Sequence, residues 1–197
     1  PLVVLMHWAG GDEKDWVEIA YWLQNRGLGS QTPNPNGYPW LEPSWFPPMP
    51  AGESFGVFTF TFRNCRGGCQ AFEREKWLLD AQAAMLTARE LQGVDPQQIA
   101  ALGASIGADG APDGCLYLNS QDANSCQGAL SLSPGDYLTM PYVEAVTTLG
   151  DEMHPKPAWC LFGEQDAESA TACNAAAGEN YQKFPFPGGP HGMLLLT

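Results

Sequence analysis

Positive charge is scarce in this chain. Lys and Arg number 9 against 22 Asp and Glu, giving a formal net charge of −13, and charged residues of both signs make up only 16%. Nucleic acid and anionic membrane surfaces are held by clustered cations, so neither is expected as a partner. The acid surplus is compatible with neutral or cationic small substrates, and it also serves solubility. Long hydrophobic runs are missing: the cleanest, Leu2 to Met6, is far too short to cross a bilayer. Histidine is sparse, at 3, and no Cys-x-x-Cys pair or histidine cluster offers zinc-ligand spacing. No basic, hydrophobic leader precedes the first apolar run, and the chain stops at Thr197 as another element begins. A processed or trimmed domain is expected.

What is present suits one folded domain. The 197 residues are 44% apolar, enough for a sizeable core and too apolar for intrinsic disorder. Glycine (22) and proline (17) together make up about a fifth of the chain, above the usual ~12%. The six cysteines fall into local couples, Cys65/Cys69, Cys115/Cys126 and Cys160/Cys173. Paired this way by proximity, they point to disulfides and to a secreted, extracellular or periplasmic protein. Buried free thiols are the alternative.

Apolar runs and helical stretches alternate. Leu2–Met6 reads as a strand buried on both faces, followed by a glycine-rich turn and a helix over 15–25 that stops at Gly27. Residues 55–62, 99–103, 129–132, 158–162 and 181–186 read as further strands. Helices are expected over 73–91, from Ile106 at least to Pro112, and at about 141–149 and 167–177. This order predicts an α/β fold, a mostly parallel sheet with helices on both faces. One Pro/Trp-rich loop, 29–54, is unusually long; it leaves a helix end and enters a strand start, the edge opposite a ligand site, so structural packing is its expected role.

The sharpest local feature is Gly103-Ala104-Ser105-Ile106-Gly107, with an apolar strand running into it and a helix leaving it. Small residues there permit a strained turn that lifts a serine oxygen above the sheet, beside the N–H groups of a helix start. An ordinary tight turn with Ser105 as a helix cap is the alternative. A serine hydroxyl needs a base oriented by a carboxylate. Of the histidines, His191 in a Gly-Gly-Pro-His-Gly turn is free to reach over Ser105; His7 is read as shaping its loop and His154 as a surface residue. Asp166, after the fifth strand, is the expected carboxylate, with Asp136 as its rival; Glu164 and Glu168 are read as solvated charges. The backbone N–H of Ile106, at the helix start, is expected to hold an oxyanion.

These motifs, in this order, resemble the α/β-hydrolase superfamily, nearest its small cap-less dienelactone-hydrolase-like and carboxylesterase-like branches. His7-Trp8-Ala9-Gly10-Gly11-Asp12 with Trp16 is similar to the family's oxyanion loop, which implies a second oxyanion N–H from Trp8 or Ala9, and Arg63 to Gly68 is similar to its Arg-Gly-x-Gly loop. Asp95 to Gly110 is similar to the nucleophile elbow, Ser131 to Gly135 to the next strand end, Leu161 to Asp166 to the acid turn, and Gly188 to Gly192 to the histidine loop. The resemblance implies a single catalytic domain over 1–197, without the usual first strands and last helix, and a triad of Ser105, Asp166 and His191. Ser105 stands where dienelactone hydrolases carry cysteine, which favours ester hydrolysis; Trp8 stands where a glycine is usual. The implied activity is cleavage of short-chain or aryl carboxylic esters, small molecules, with no metal and no organic cofactor. A peptidase or amidase, or a non-catalytic binding module, is the alternative. Trp8, Trp16, Phe72, Tyr137, Tyr142 and Met193 are expected to line the substrate wall. Pro112 is expected to kink or end its helix unless a new helix begins there.

Overall fold

The structure is a computed structural model, and it describes residues 1–27, 46–151 and 153–197. Most of the long Pro/Trp-rich loop lies outside the described residues. Its returning end is tied to the first helix: Trp22 donates its indole N–H to the Pro47 carbonyl at 2.8 Å, and Phe46 packs edge-on against the Trp22 ring.

Among the described residues six strands form one sheet, every neighbouring pair parallel: β1 (Leu2–Met6), β2 (Gly56–Phe60), β3 (Ile99–Ala104), β4 (Cys126–Leu132), β5 (Ala158–Gly163) and β6 (Tyr181–Phe186), in the order β2-β1-β3-β4-β5-β6. β1 is buried throughout because both of its faces are covered. Its Leu2, Val4 and Met6 pack with Trp77, Ala81 and Met85 of α2 (Arg74–Glu90) and Ile106, Ala111 and Leu118 of α3 (Ile106–Gln121). Val3 and Leu5 point the other way, onto Trp16, Ile19 and Leu23 at α1 (Val17–Leu23) and onto Met193 and Leu195 of a terminal 3-10 turn. α4 (Tyr142–Asp151) and α5 (Ala167–Ala175) continue the first layer over β5. Helices therefore lie on both faces, thickly on one and thinly on the other: Trp159 of β5 is 41% exposed.

Pro112 neither ends nor breaks α3, which runs continuously through it to Gln121. A proline at 112 cannot donate to the Ala108 carbonyl one turn back. The hydroxyl of Ser131 in β4 donates to that carbonyl at 2.7 Å instead, so the vacancy left by the ring is filled from the sheet. All three cysteine pairs expected from proximity are disulfides, with no free cysteine. No described helix is long and apolar enough to cross a membrane.

The strand order leaves β1 with a neighbour on each side, and the chain departs from β1 toward β2 before crossing back to β3. At such a switch point the loops leaving adjacent strand ends diverge and open a crevice. The segments after β1 (from His7), β3 (from Ser105), β5 (to Asp166) and β6 (to His191) all emerge at this edge.

Candidate active site

Ser105 sits between β3 and α3 with φ +52° and ψ −115°, a conformation L-residues rarely adopt. Its neighbours explain why the turn can be so tight. A Cβ on Gly103 would lie 1.8 Å from the Gly107 carbonyl oxygen, and one on Gly107 would lie 2.2 Å from the Met6 carbonyl oxygen. Both glycines are therefore required by backbone approach: one lets α3 start against its own strand, the other lets it start against the end of β1. The turn is held by Ser105 N–H donating to the Leu132 carbonyl at 2.9 Å. As the first residues of α3, Ile106 and Gly107 carry N–H groups with no acceptor inside the helix.

His191 reaches this serine from the loop after β6. Its Nε2 lies 2.9 Å from Ser105 Oγ and its Nδ1 lies 2.6 Å from Asp166 Oδ2. With Nδ1–H donating to the carboxylate, Nε2 is left to accept the serine proton. Asp166 closes the turn after β5, where its N–H donates to the Gly163 carbonyl at 3.0 Å. A side chain at Gly163 would collide with Pro190 at 2.8 Å, so glycine there lets the histidine loop settle on the acid turn. Asp136 turns away from the His191–Ser105 pair: its Oδ1 accepts from the Tyr142 N–H at 3.2 Å, at the start of α4.

The loop after β1 is shaped by side chains. His7 is buried; its Nδ1–H donates to the Trp8 carbonyl at 2.7 Å, and its Nε2 accepts from the Phe62 N–H at 2.9 Å. Burial lowers its pKa, against smaller opposing effects of the Trp8 carbonyl and Asp12, which matches a neutral ring that both donates and accepts. Trp8, in place of the expected glycine, turns its indole back to donate to the buried Asp15 at 2.7 Å. Gly11 makes room for this pair, since a Cβ there would lie 1.8 Å from the Asp15 carboxylate. The Trp8 ring also lies beside Gly192 and Ser105: a Cβ on Gly192 would stand 3.2 Å from the ring and 3.7 Å from Ser105 Cβ.

The expected wall divides. Trp8 and Tyr137 are half-buried beside the Ser105–His191 pair, the Tyr137 ring edge-on to His191 at 6.1 Å. Trp16, Tyr142 and Met193 are instead fully buried in the core and present no surface to a substrate. Their strand-edge positions in sequence suggested a wall, but each turns inward onto an apolar cluster. Phe72 is 62% exposed and packs edge-on against Trp77 of α2. Arg63 is committed to Asp80 through its guanidinium and backbone N–H.

Two buried acids on α3 carry no role in the sequence reading. Asp109 accepts N–H bonds from Gly135, Tyr137 and Leu138, and so shapes the loop that brings Tyr137 to His191. Desolvation raises its pKa, and those three donors oppose the rise. Asp113, one turn on, is buried with neither oxygen partnered among the described residues; desolvation raises its pKa, and the nearby Asp109, Glu144 and Asp136 add to the rise. Two aspartates four apart in an otherwise small and apolar helix were the signal available in the sequence. Tyr137 also donates its hydroxyl proton to Glu168 at 3.1 Å, so Glu168 is not simply a solvated charge.

No protein-family description matches the chain, and no curated protein matches it in sequence. Solved structures do match in shape. An esterase of Pyrococcus furiosus superposes with a TM-score of 0.56 at 15% identity, over 94% of this chain and 74% of its own. An α/β hydrolase of Vibrio vulnificus gives 0.58 at 17% identity, over 94% and 66%. A dienelactone hydrolase-like promiscuous phosphotriesterase from metagenomic libraries gives 0.59 at 14%, over 97% and 71%. At such identities the likeness is one of fold.

Proposed function

We propose that this chain, whose fold is that of the α/β hydrolases, is a serine hydrolase that cleaves carboxylic esters through an acyl-enzyme. The observation that carries this reading is the continuous hydrogen-bonded series from Asp166 through His191 to Ser105, ending on a serine in a strained turn at the start of a helix. Ser105 Oγ attacks the acyl carbon while its proton passes to His191 Nε2, and Asp166 holds the ring and stabilises the imidazolium that forms. The carbonyl oxygen gains negative charge and is held by backbone N–H groups of Ile106 and of the Trp8–Ala9 segment, where each donor contributes about 2.7–4 kcal/mol. His191 then protonates the departing alcohol; in the second half water attacks the acyl carbon as its proton passes to His191 Nε2, and His191 returns that proton to Ser105 Oγ as the acyl–oxygen bond breaks and the acid leaves. This chemistry draws on side chains and backbone alone.

The half-buried aromatic surfaces of Trp8 and Tyr137 beside the serine suit a small acyl or aryl group. Residues 1–197 are read as one catalytic domain, and the three disulfides, compatible with an oxidising compartment, support export. A fluorophosphonate probe tests the reading: wild type is expected to be labelled and to turn over p-nitrophenyl acetate, and Ser105→Ala to do neither. Wild type that is neither labelled nor active overturns it and leaves a binding module in its place.

A further inference from the structure

The loop after β1 is gripped from outside by a second, disulfide-closed turn, and its grip falls on the peptides around Ala9. The Trp8 carbonyl accepts from His7 Nδ1–H at 2.7 Å. Because a trans peptide points its C=O and N–H in opposite directions, that bond aims the Ala9 N–H away from His7. The next peptide is fixed separately: the Ala9 carbonyl accepts from the Cys69 N–H at 2.8 Å. Two further contacts come from the same turn. Gly67 N–H donates to Asp12 Oδ2 at 2.9 Å, and Gly68, at φ +110°, lies alongside Ala9 and Gly10, where a Cβ on it would be in ordinary van der Waals contact with the Gly10 carbonyl oxygen at 3.5 Å.

The turn itself is anchored in the core. Cys65 is fully buried and donates its N–H to the Phe62 carbonyl at 3.1 Å, while the Phe62 N–H is the donor that His7 Nε2 accepts. The Cys65–Cys69 disulfide closes the five-residue turn, so that Cys69 is carried on a buried support rather than on a free loop.

We infer that the Cys65–Cys69 disulfide, with Asp12, is a positioning device that fixes the peptides flanking Ala9 and so holds the Ala9 N–H as the second oxyanion donor. The inference rests on the esterase reading above, and it selects Ala9 over Trp8. Rigid donors act because they are already aimed at the charge that develops, so loosening them harms the transition state more than the bound substrate.

The test uses Cys65→Ala/Cys69→Ala in the full chain, with p-nitrophenyl acetate and a trifluoromethyl ketone as probes. In the ketone adduct Ser105 Oγ bonds to the carbonyl carbon, the serine proton moves to His191, and the π pair becomes an oxyanion. The variant is expected to lose about 10–100-fold in kcat, part of the 10²–10³ typical of a deleted donor, with KM within about threefold and ketone affinity falling in parallel with kcat. Asp12→Ala, which leaves the disulfide intact, is expected to show the same pattern more weakly, and it decides the matter if the double variant does not fold. Unchanged kcat and ketone affinity, or a change confined to KM or to thermal stability, overturns the inference. Failure of the esterase reading is separate: it shows in wild type, as no Ser105-dependent fluorophosphonate labelling.

Discussion

Two aspartates stand near the ends of neighbouring strands, and their hydrogen bonds assign them opposite work. Asp166 Oδ2 accepts from His191 Nδ1–H at 2.6 Å, whereas Asp136 Oδ1 accepts from the Tyr142 N–H. An amide at 166 can offer its NH₂ to the ring and so favour the wrong tautomer, leaving Nε2 protonated and unable to accept from Ser105. Asp166→Asn is therefore expected to lower kcat about 10⁴-fold, as loss of the triad carboxylate does elsewhere. Asp136→Asn, which keeps an acceptor for the same N–H, should stay within a few-fold of wild type in steady-state ester hydrolysis. Either residue was a reasonable carboxylate from chain order. Of the two, Asp166 turns its carboxylate to His191 and Asp136 turns away to Tyr142, a direction set by the turn on which each sits.

Among the elements, α3 does the most: it opens at Ser105, the proposed nucleophile, passes through a proline and buries two acids. Its sequence predicted the start but not the length, because the Ala108 carbonyl freed by Pro112 is satisfied from another strand, by Ser131. Asp113 has a consequence for pH. Desolvation first, then the charges of Asp109, Glu144 and Asp136, raise its pKa in the folded protein. An unfolded Asp releases its proton near pH 3.9, so above that pH the unfolded state binds fewer protons than the folded one, and stability falls as pH rises. Thermal unfolding from pH 5 to pH 8 should show this decline, and Asp113→Leu should make it shallower, leaving the part that comes from Asp109, whose pKa desolvation also raises. That variant also removes a buried unpartnered carboxyl and is expected to gain about 1–3 kcal/mol at pH 8. A slope unchanged in the variant would place its origin elsewhere.

The molecule as a whole is an acidic α/β layer structure pinned by three short-range disulfides. Cys115–Cys126 ties α3 to the strand that follows it, β4, and Cys160–Cys173 ties β5 to α5. Each closes a short loop, so each restricts the unfolded chain by a modest amount. Cys115→Ala/Cys126→Ala is expected to cost about 3 kcal/mol in denaturant unfolding while leaving ester turnover at 25 °C within a few-fold, because neither cysteine touches the site. The strands, the helix order, the cysteine couples and the serine turn were all legible in the linear chain. Each is encoded by neighbours: runs of apolar residues, helical periodicity, and glycines beside Ser105. Folding alone decided which aromatic residues face the serine and which, like Trp16, Tyr142 and Met193, fill the core; that Trp8 folds back on Asp15; and that Asp109 and Asp113 are buried. Those outcomes depend on what packs opposite a residue, and the partners, such as β4 against Pro112 or the 65–69 turn against Ala9, come from distant parts of the chain.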